Sequence, residues 1–256
     1  MSELISFWFS GLDLVPTQAG NVNQQHYAAS LMKVPVAVAA YRMADADELD
    51  LDAPIRIHDE FDSMVAGERF RLSEDYDQDP DTWAALGGEL PLREVVGRSL
   101  SHSGNLAVDL VLEIVGIDRV KAVLADAHCS VMSQVERGIE DTPARLAGID
   151  NLVTVHDMAR IMARIADRTL ASAAACEELE EVMRAQVDRD AIPLGLPEDA
   201  VIANKTGEIE GVRHDAAIIR HPDREPAVMV ILTTGIDDDE ATFQISEVAR
   251  RLWEMG

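Results

Sequence analysis

Residues 30 to 40 read S-L-M-K-V-P-V-A-V-A-A. A serine is followed three positions later by a lysine, and beyond the lysine nearly every residue to Tyr41 is apolar. A helix that is apolar all round offers no face to water and is buried. The stretch therefore predicts a central helix around which the rest of the chain packs. Ser30 falls in its first turn and Lys33 one turn further in. Residues three apart share a helical face, which brings the lysine amine within reach of the serine hydroxyl. Pro35 would clash with the carbonyl four residues back inside a helix, so the helix begins close to Ser30. The bland alternative is a capping serine beside a solvated lysine. The apolar surroundings argue against solvating Lys33.

Strand-like runs lie at both ends of the chain. Leu4 to Ser10 is rich in aromatics and β-formers, Gly11-Leu12-Asp13 turns, and Leu14 to Asn21 is a second strand. Ala200 to Thr206, Val212 to Arg220 and Ala227 to Thr234 are joined by short turns, which makes them antiparallel neighbours. The middle is helical. Helices are expected over Leu92 to Leu100, Asn105 to Val115 (stopped by Gly116) and Ile117 to Ala127. Thr154 to Asp157 has the capping-box form ahead of another helix, and Glu177 to Val187 continues as helix. Residues 59 to 81 read as irregular, and Ser130 to Asn151 as a long loop. Loops of that length are commonly functional. A last amphipathic helix covers Glu240 to Trp253.

The expected fold class is therefore α/β in the α+β sandwich sense. Both chain ends meet in one antiparallel sheet, and an all-helical lobe is inserted between them. One domain spans 1–256, with an α/β lobe of 1–29 plus 190–256 and a helical lobe of 30–189.

Three short motifs fall in this frame: Ser30-x-x-Lys33, Ser103-Gly104-Asn105 and Lys205-Thr206-Gly207. The first opens the buried helix, the second lies in a turn between helices, and the third sits on a strand of the C-terminal sheet. Lys33, Lys121 and Lys205 are the only lysines, and two of them occupy motif positions. Any one match is weak; the three in their proper contexts are not. The trio corresponds to S-x-x-K, S-D-N and K-T-G of class A β-lactamases and penicillin-binding proteins. The chain resembles that superfamily over nearly its whole length, and looks closest to its class A β-lactamase-like branch.

The resemblance implies a serine hydrolase that works on a β-lactam, or a related amide or ester, through a Ser30 acyl-enzyme. Lys33 would take the serine proton, for which it must be neutral. A free lysine titrates near ~10.4, so its pKa has to fall by roughly three units, and both burial and the charge of Lys205 push that way. Ser103 would pass a proton to the leaving nitrogen, and Asn105 would hold the substrate amide. Lys205 and Thr206 would bind a substrate carboxylate. The backbone N–H groups of Ser30 and Glu208 would form the oxyanion hole, with Gly207 permitting close backbone approach. Arg213 resembles the arginine often found on the strand beside K-T-G, although a surface arginine fits the sequence equally well.

Two departures stand out. The middle motif has Gly104 where aspartate is usual, which implies altered packing of the turn. The loop from Val135 to Asp150 lacks the E-x-x-L-N motif whose glutamate activates the deacylating water. Glu140 lies near that place and is the candidate, the alternative being a charged loop residue. Without such a group the protein would be an esterase, a D-Ala-D-Ala peptidase-like acyl transferase, or a catalytically weak relative binding a ligand or partner.

A formal net charge of −25 excludes nucleic acid and anionic membrane surfaces as partners. The implied partner is a small molecule bearing a carboxylate, drawn to a local Lys205–Arg213 patch. The histidines lack metal-ligand spacing, no phosphate-binding glycine loop occurs, and no cofactor or metal is implied. Cys129 and Cys176 read as free thiols. The first residues, M-S-E-L-I-S-F-W-F-S, carry no basic region or cleavage site, which reads as cytoplasmic, whereas relatives of this type act in the periplasm or outside the cell.

Overall fold

The computed structural model describes residues 3–256. In chain order, β1 (Leu4–Gly11) and β2 (Pro16–Gly20) form a hairpin, and β3 (His26–Tyr27) leads into a 3-10 turn at Ala29–Met32 that continues as α1 (Lys33–Asp45). Next come β4 (Pro54–Arg56), β5 (Glu60–Asp62), β6 (Arg69–Arg71), α2 (Pro80–Ala84) and β7 (Glu89–Pro91). The helices α3 (Leu92–Ser101), α4 (Asn105–Val115), α5 (Ile117–Asp126) and α6 (Thr142–Leu146) follow, then β8 (Leu152–Val153), α7 (Val155–Ala166) and α8 (Ala173–Arg184). The chain closes with β9 (Val201–Ile209), β10 (Val212–His221), β11 (Arg224–Thr234) and α9 (Asp238–Met255).

The two chain ends do meet in one antiparallel sheet, in the order β2-β1-β11-β10-β9. Phe7 of β1 stands opposite Ile231 of β11. The sheet is covered on both faces. Ala216, Ile218, Val228, Val230 and Leu232 turn toward the helices, while Ala217, Ile219, Met229 and Ile231 turn toward α9. Successive strand residues point to opposite faces, so a sheet buried on both sides reads as an unbroken apolar run. That is why β10 and β11 were plain in the sequence.

α1 is the centre of the helical part. From Lys33 to Tyr41 its residues are buried, and it packs on α3, α4, α5 and α8. Pro35 is its third residue, early enough that no intrahelical bond is lost. Thr154 caps α7 as expected, its hydroxyl accepting the Asp157 N–H at 3.1 Å. The Asp157 carboxylate does not complete the box. It accepts instead from Ser130 N, Ser130 Oγ and Ser133 Oγ at 2.7–2.8 Å, so it ties the preceding loop to the helix.

Residues 59–81, expected to be irregular, contain the β5–β6 pair and the start of α2. Strands of three residues are too short to express a period of two. The long loop from Ser130 to Asn151 carries the short helix α6, whose N-cap is Asp141, accepting from Ala144 N at 3.0 Å. Cys129 and Cys176 are free thiols. Among the described residues no helix is long and apolar enough to cross a membrane.

Candidate active site

Each motif is delivered by a different kind of element. The first sits on the 3-10 turn before α1, where Ala29 is held at φ +44°. A non-glycine residue in that region costs on the order of 1–3 kcal/mol. Ala28 N donates to Asn151 O at 2.9 Å, which anchors the turn. β9 passes directly over it: a side-chain carbon on Gly207 would lie 3.1 Å from the backbone nitrogen of Ser30. Glycine is thus needed here for close approach.

Lys33 is fully buried. Its amine donates to Ser103 O at 2.6 Å and Asn105 Oδ1 at 2.7 Å, with Ser103 Oγ at 3.5 Å. Lys205, also fully buried, donates to Ser103 Oγ at 2.9 Å and to Thr206 O at 2.7 Å. The two lysines therefore converge on Ser103. Among the described residues the Ser30 hydroxyl makes no hydrogen bond, so the expected lysine–serine contact is not formed in this state. The physical reason is local: the helix proper starts at Lys33, and the amine is taken by the second motif. Catalytic hydrogen bonds often tighten only when substrate is bound.

Burial lowers the Lys33 pKa to about 8, against the opposing pull of Asp77, Asp109 and Asp79. Lys205 is pushed well below the usual lysine range by burial and then by the charge of Lys33. Two ammonium groups beside one hydroxyl repel, and the interior offers no water to screen them.

The second motif is strained and pinned. Ser103 has φ +56°. Asp77 holds the start of α4 by accepting from Asn105 N at 2.9 Å and Leu106 N at 2.8 Å, the favourable place for an anion on a helix. Asp77 Oδ2, which accepts from Leu106 N, also accepts from Trp83 Nε1 at 2.8 Å. Asn105 Nδ2 donates to Tyr76 O at 2.8 Å.

A cleft of about 600 Å³ joins Ser30, Asn105, Glu140, Tyr76 and Glu208. Glu140 has φ +60°, and one carboxylate oxygen accepts from Ser73 N at 3.2 Å. The other is buried without a partner among the described residues. Burial raises its pKa, the Ser73 bond opposes, and Asp77 adds to the rise. Behind it, Asp109 accepts from Ile139 N at 2.8 Å. A second cavity of about 610 Å³, lined by Phe61, Phe70, Leu112 and Asp109 among others, contains none of the motif residues.

Arg213 corrects one expectation. Its guanidinium is paired with both oxygens of Asp188 at 2.8 and 2.9 Å, and with Glu208. It is a neutralised, nearly buried group and not a free cation awaiting a carboxylate. The carboxylate partners come from other elements, which the sequence did not reveal. The roles of Asp77, Asp79, Asp109 and Asp188 were likewise missed. For the first two, the only signal was the run D-Q-D-P-D at 77–81, which falls in the stretch read as irregular.

A family model described as "Beta-lactamase enzyme family" matches residues 3–255. Beta-lactamase 1 of Streptomyces cacaoi is 26% identical over 176 residues, which are 62% of this chain and 51% of that protein. The chain thus spans about half the length of this relative. The crystal structure of a beta-lactamase from Sphaerobacter thermophilus DSM 20745 superposes with a TM-score of 0.80 at 23% identity, covering 100% of this chain and 92% of that one. A variant of PBP-A, solved as an acyl-enzyme complex with penicillin G, superposes with a TM-score of 0.78 at 21% identity, covering 98% and 90%.

Proposed function

Because the chain belongs to the beta-lactamase enzyme family, we propose that it is a serine hydrolase acting on β-lactams, or related amides and esters, through an acyl-enzyme on Ser30. The observation that carries this is the convergence of Lys33 and Lys205 on Ser103, two residues before the Asn105 that lines the Ser30 cleft. The acyl-enzyme solved for the PBP-A variant supports the covalent route. The division into an α/β lobe, 1–29 plus 190–256, and a helical lobe, 30–189, belongs to the same proposal and puts the cleft where the lobes meet.

Lys33, with its pKa lowered to about 8, takes the Ser30 hydroxyl proton as the oxygen attacks the carbonyl carbon. The tetrahedral oxyanion is met by the N–H groups of Ser30 and Glu208. The carbon–nitrogen bond breaks as Ser103 gives its proton to the nitrogen and is reprotonated from Lys33. Asn105 accepts or donates to the substrate amide, and Lys205 and Thr206 bind the substrate carboxylate. An incoming anion raises the Lys205 pKa, so the depressed value of the free protein does not prevent binding. Glu140 then takes a proton from water, which attacks the ester. The ester bond breaks and the proton returns to Ser30.

The test is intact-mass measurement after mixing with benzylpenicillin and, separately, a chromogenic cephalosporin. Colour release lost in Ser30→Ala is expected, together with a long-lived adduct of substrate mass in Glu140→Gln. No adduct and no colour with the unmodified protein would sink the β-lactam assignment.

A further inference from the structure

Gly104, the middle residue of the second motif, has φ −58° and ψ 124°, a conformation any L-residue adopts. Backbone freedom is therefore not why it is glycine. Space is. A side-chain carbon there would lie 3.0 Å from Asp79 Oδ2, 3.1 Å from Asp79 Cβ and 3.0 Å from Ala107 Cβ. A carboxylate already fills the volume, supplied by the neighbouring loop.

Asp79 is fully buried; its ties to Arg98 and Asp77 lead to the turn, and its tie to Thr82 fixes it to α2. Its Oδ1 accepts from Arg98 Nη1 at 2.8 Å, and its Oδ2 accepts from Thr82 Oγ1. Its own N–H donates to Asp77 Oδ1 at 3.2 Å, the same oxygen that holds Asn105 N. Arg98 in turn accepts the Gly104 N–H at 3.2 Å and the His102 N–H at 3.1 Å on its backbone carbonyl. Asp79 and Arg98 thus bracket the segment that holds Ser103 at its unfavourable φ.

We propose that Asp79 is a positioning residue of the second motif: its carboxylate occupies the place of an aspartate side chain on residue 104 and, through Arg98, holds Ser103 between Lys33 and Lys205. The aspartate of the S-D-N motif has in effect been exchanged for one supplied from the 77–81 loop. This rests on the proton-transfer role proposed for Ser103. The carboxylate also acts on Lys33, whose amine it favours in the charged form.

The experiment is an exchange: Asp79→Gly, Gly104→Asp, and both together, with Asp79→Asn as an isosteric control. Each single change is expected to lower kcat/KM on a chromogenic cephalosporin on the order of a hundredfold, mainly in kcat, since a slight misplacement of a catalytic group costs about that much. The exchange variant should recover to within about tenfold of the unmodified protein, as coupled neighbours do. Asp79→Asn should move the acid limb of the kcat/KM profile to lower pH, and the exchange variant should return it. Melting temperature supplies a readout that needs no turnover: each single change should lower it by about 5 °C, and the exchange should restore most of that. Additive losses in the exchange variant would overturn the proposal. So would an Asp79→Asn protein with unaltered rate and pH profile. An unmodified protein that forms no Ser30 adduct would sink the hydrolase assignment instead, and the melting cycle alone would then decide the placement of Asp79.

Discussion

Gly207 and Ser30 meet backbone to backbone: a side-chain carbon on Gly207 would come within 3.1 Å of Ser30 N and 3.3 Å of Leu31 N. β9 can lie this close to the serine turn only because residue 207 has no side chain. The contact sets the distance between the Ser30 and Glu208 N–H groups, the proposed oxyanion donors. Gly207→Ala needs the two segments to separate by a few tenths of an ångström. Losing one oxyanion donor outright costs about 10²–10³ in rate, so partial separation should lower kcat/KM by roughly tenfold. Thermal stability should change little. A full rate in Gly207→Ala would remove Glu208 N–H from the oxyanion hole.

Lys33 sets the pH dependence. Its lowered pKa, about 8, means that the neutral, proton-accepting amine grows as pH rises through that value. The kcat/KM for acylation should climb from pH 6.5 to pH 9 with a midpoint near 8, in the ascending limb of a free-enzyme profile. Lys33→Arg keeps a cation that does not deprotonate, so its rate should fall at least a thousandfold and stay flat with pH. An unmodified protein with a flat profile over that range would assign proton removal to another group.

Arg213 is expected to matter for stability more than for substrate affinity. Removing one partner of a buried ion pair strands the other and costs about 3–5 kcal/mol; here the stranded groups are Asp188, about one-fifth exposed, and the more exposed Glu208, so the lower end applies. Arg213→Ala should therefore melt several degrees lower, and Arg213→Ala with Asp188→Ala should recover much of the loss. Were Arg213 a free carboxylate anchor, the double substitution would leave KM as high as the single one and stability untouched. Urea denaturation and KM measured on the same three proteins separate the cases.

How legible these relationships were in the sequence depends on their range. The strands buried on both faces, the all-apolar helix and the three motifs are local patterns; they lie on the elements expected, except that Ser30 sits on a 3-10 turn and the α-helix begins at Lys33 and not a turn earlier. Asp79 against Gly104 and Asp188 against Arg213 join residues 25 apart, and Asp109 against Ile139 residues 30 apart. No periodicity encodes such pairings. An aspartate reads the same whether it faces water or fills the core, and this acidic chain has many that do face water. Even the Lys33–Ser30 contact, the most local expectation, gave way, because the amine found better acceptors in Ser103 and Asn105.

Asp109 is the residue on which deacylation should turn. It is buried, one oxygen accepts from Ile139 N at 2.8 Å, and the other has no partner among the described residues. Burial raises its pKa well above the usual carboxylate value, and its bond to Ile139 N holds the segment that ends in Glu140. Asp109→Asn keeps the acceptor for Ile139 N, so it should fold, acylate and deacylate much like the unmodified protein. Asp109→Ala leaves the Ile139 N–H unpaired, at a cost of about 1–3 kcal/mol, and frees the segment to drift. Acylation should then be nearly unchanged, while the acyl-enzyme should persist at least about tenfold longer, since slight displacement of a general base is costly. Burst kinetics and the decay of the adduct mass measure the two steps separately. Equal slowing of both would mean that Asp109 acts through its field on Lys33, which it also reaches, and not through the position of Glu140.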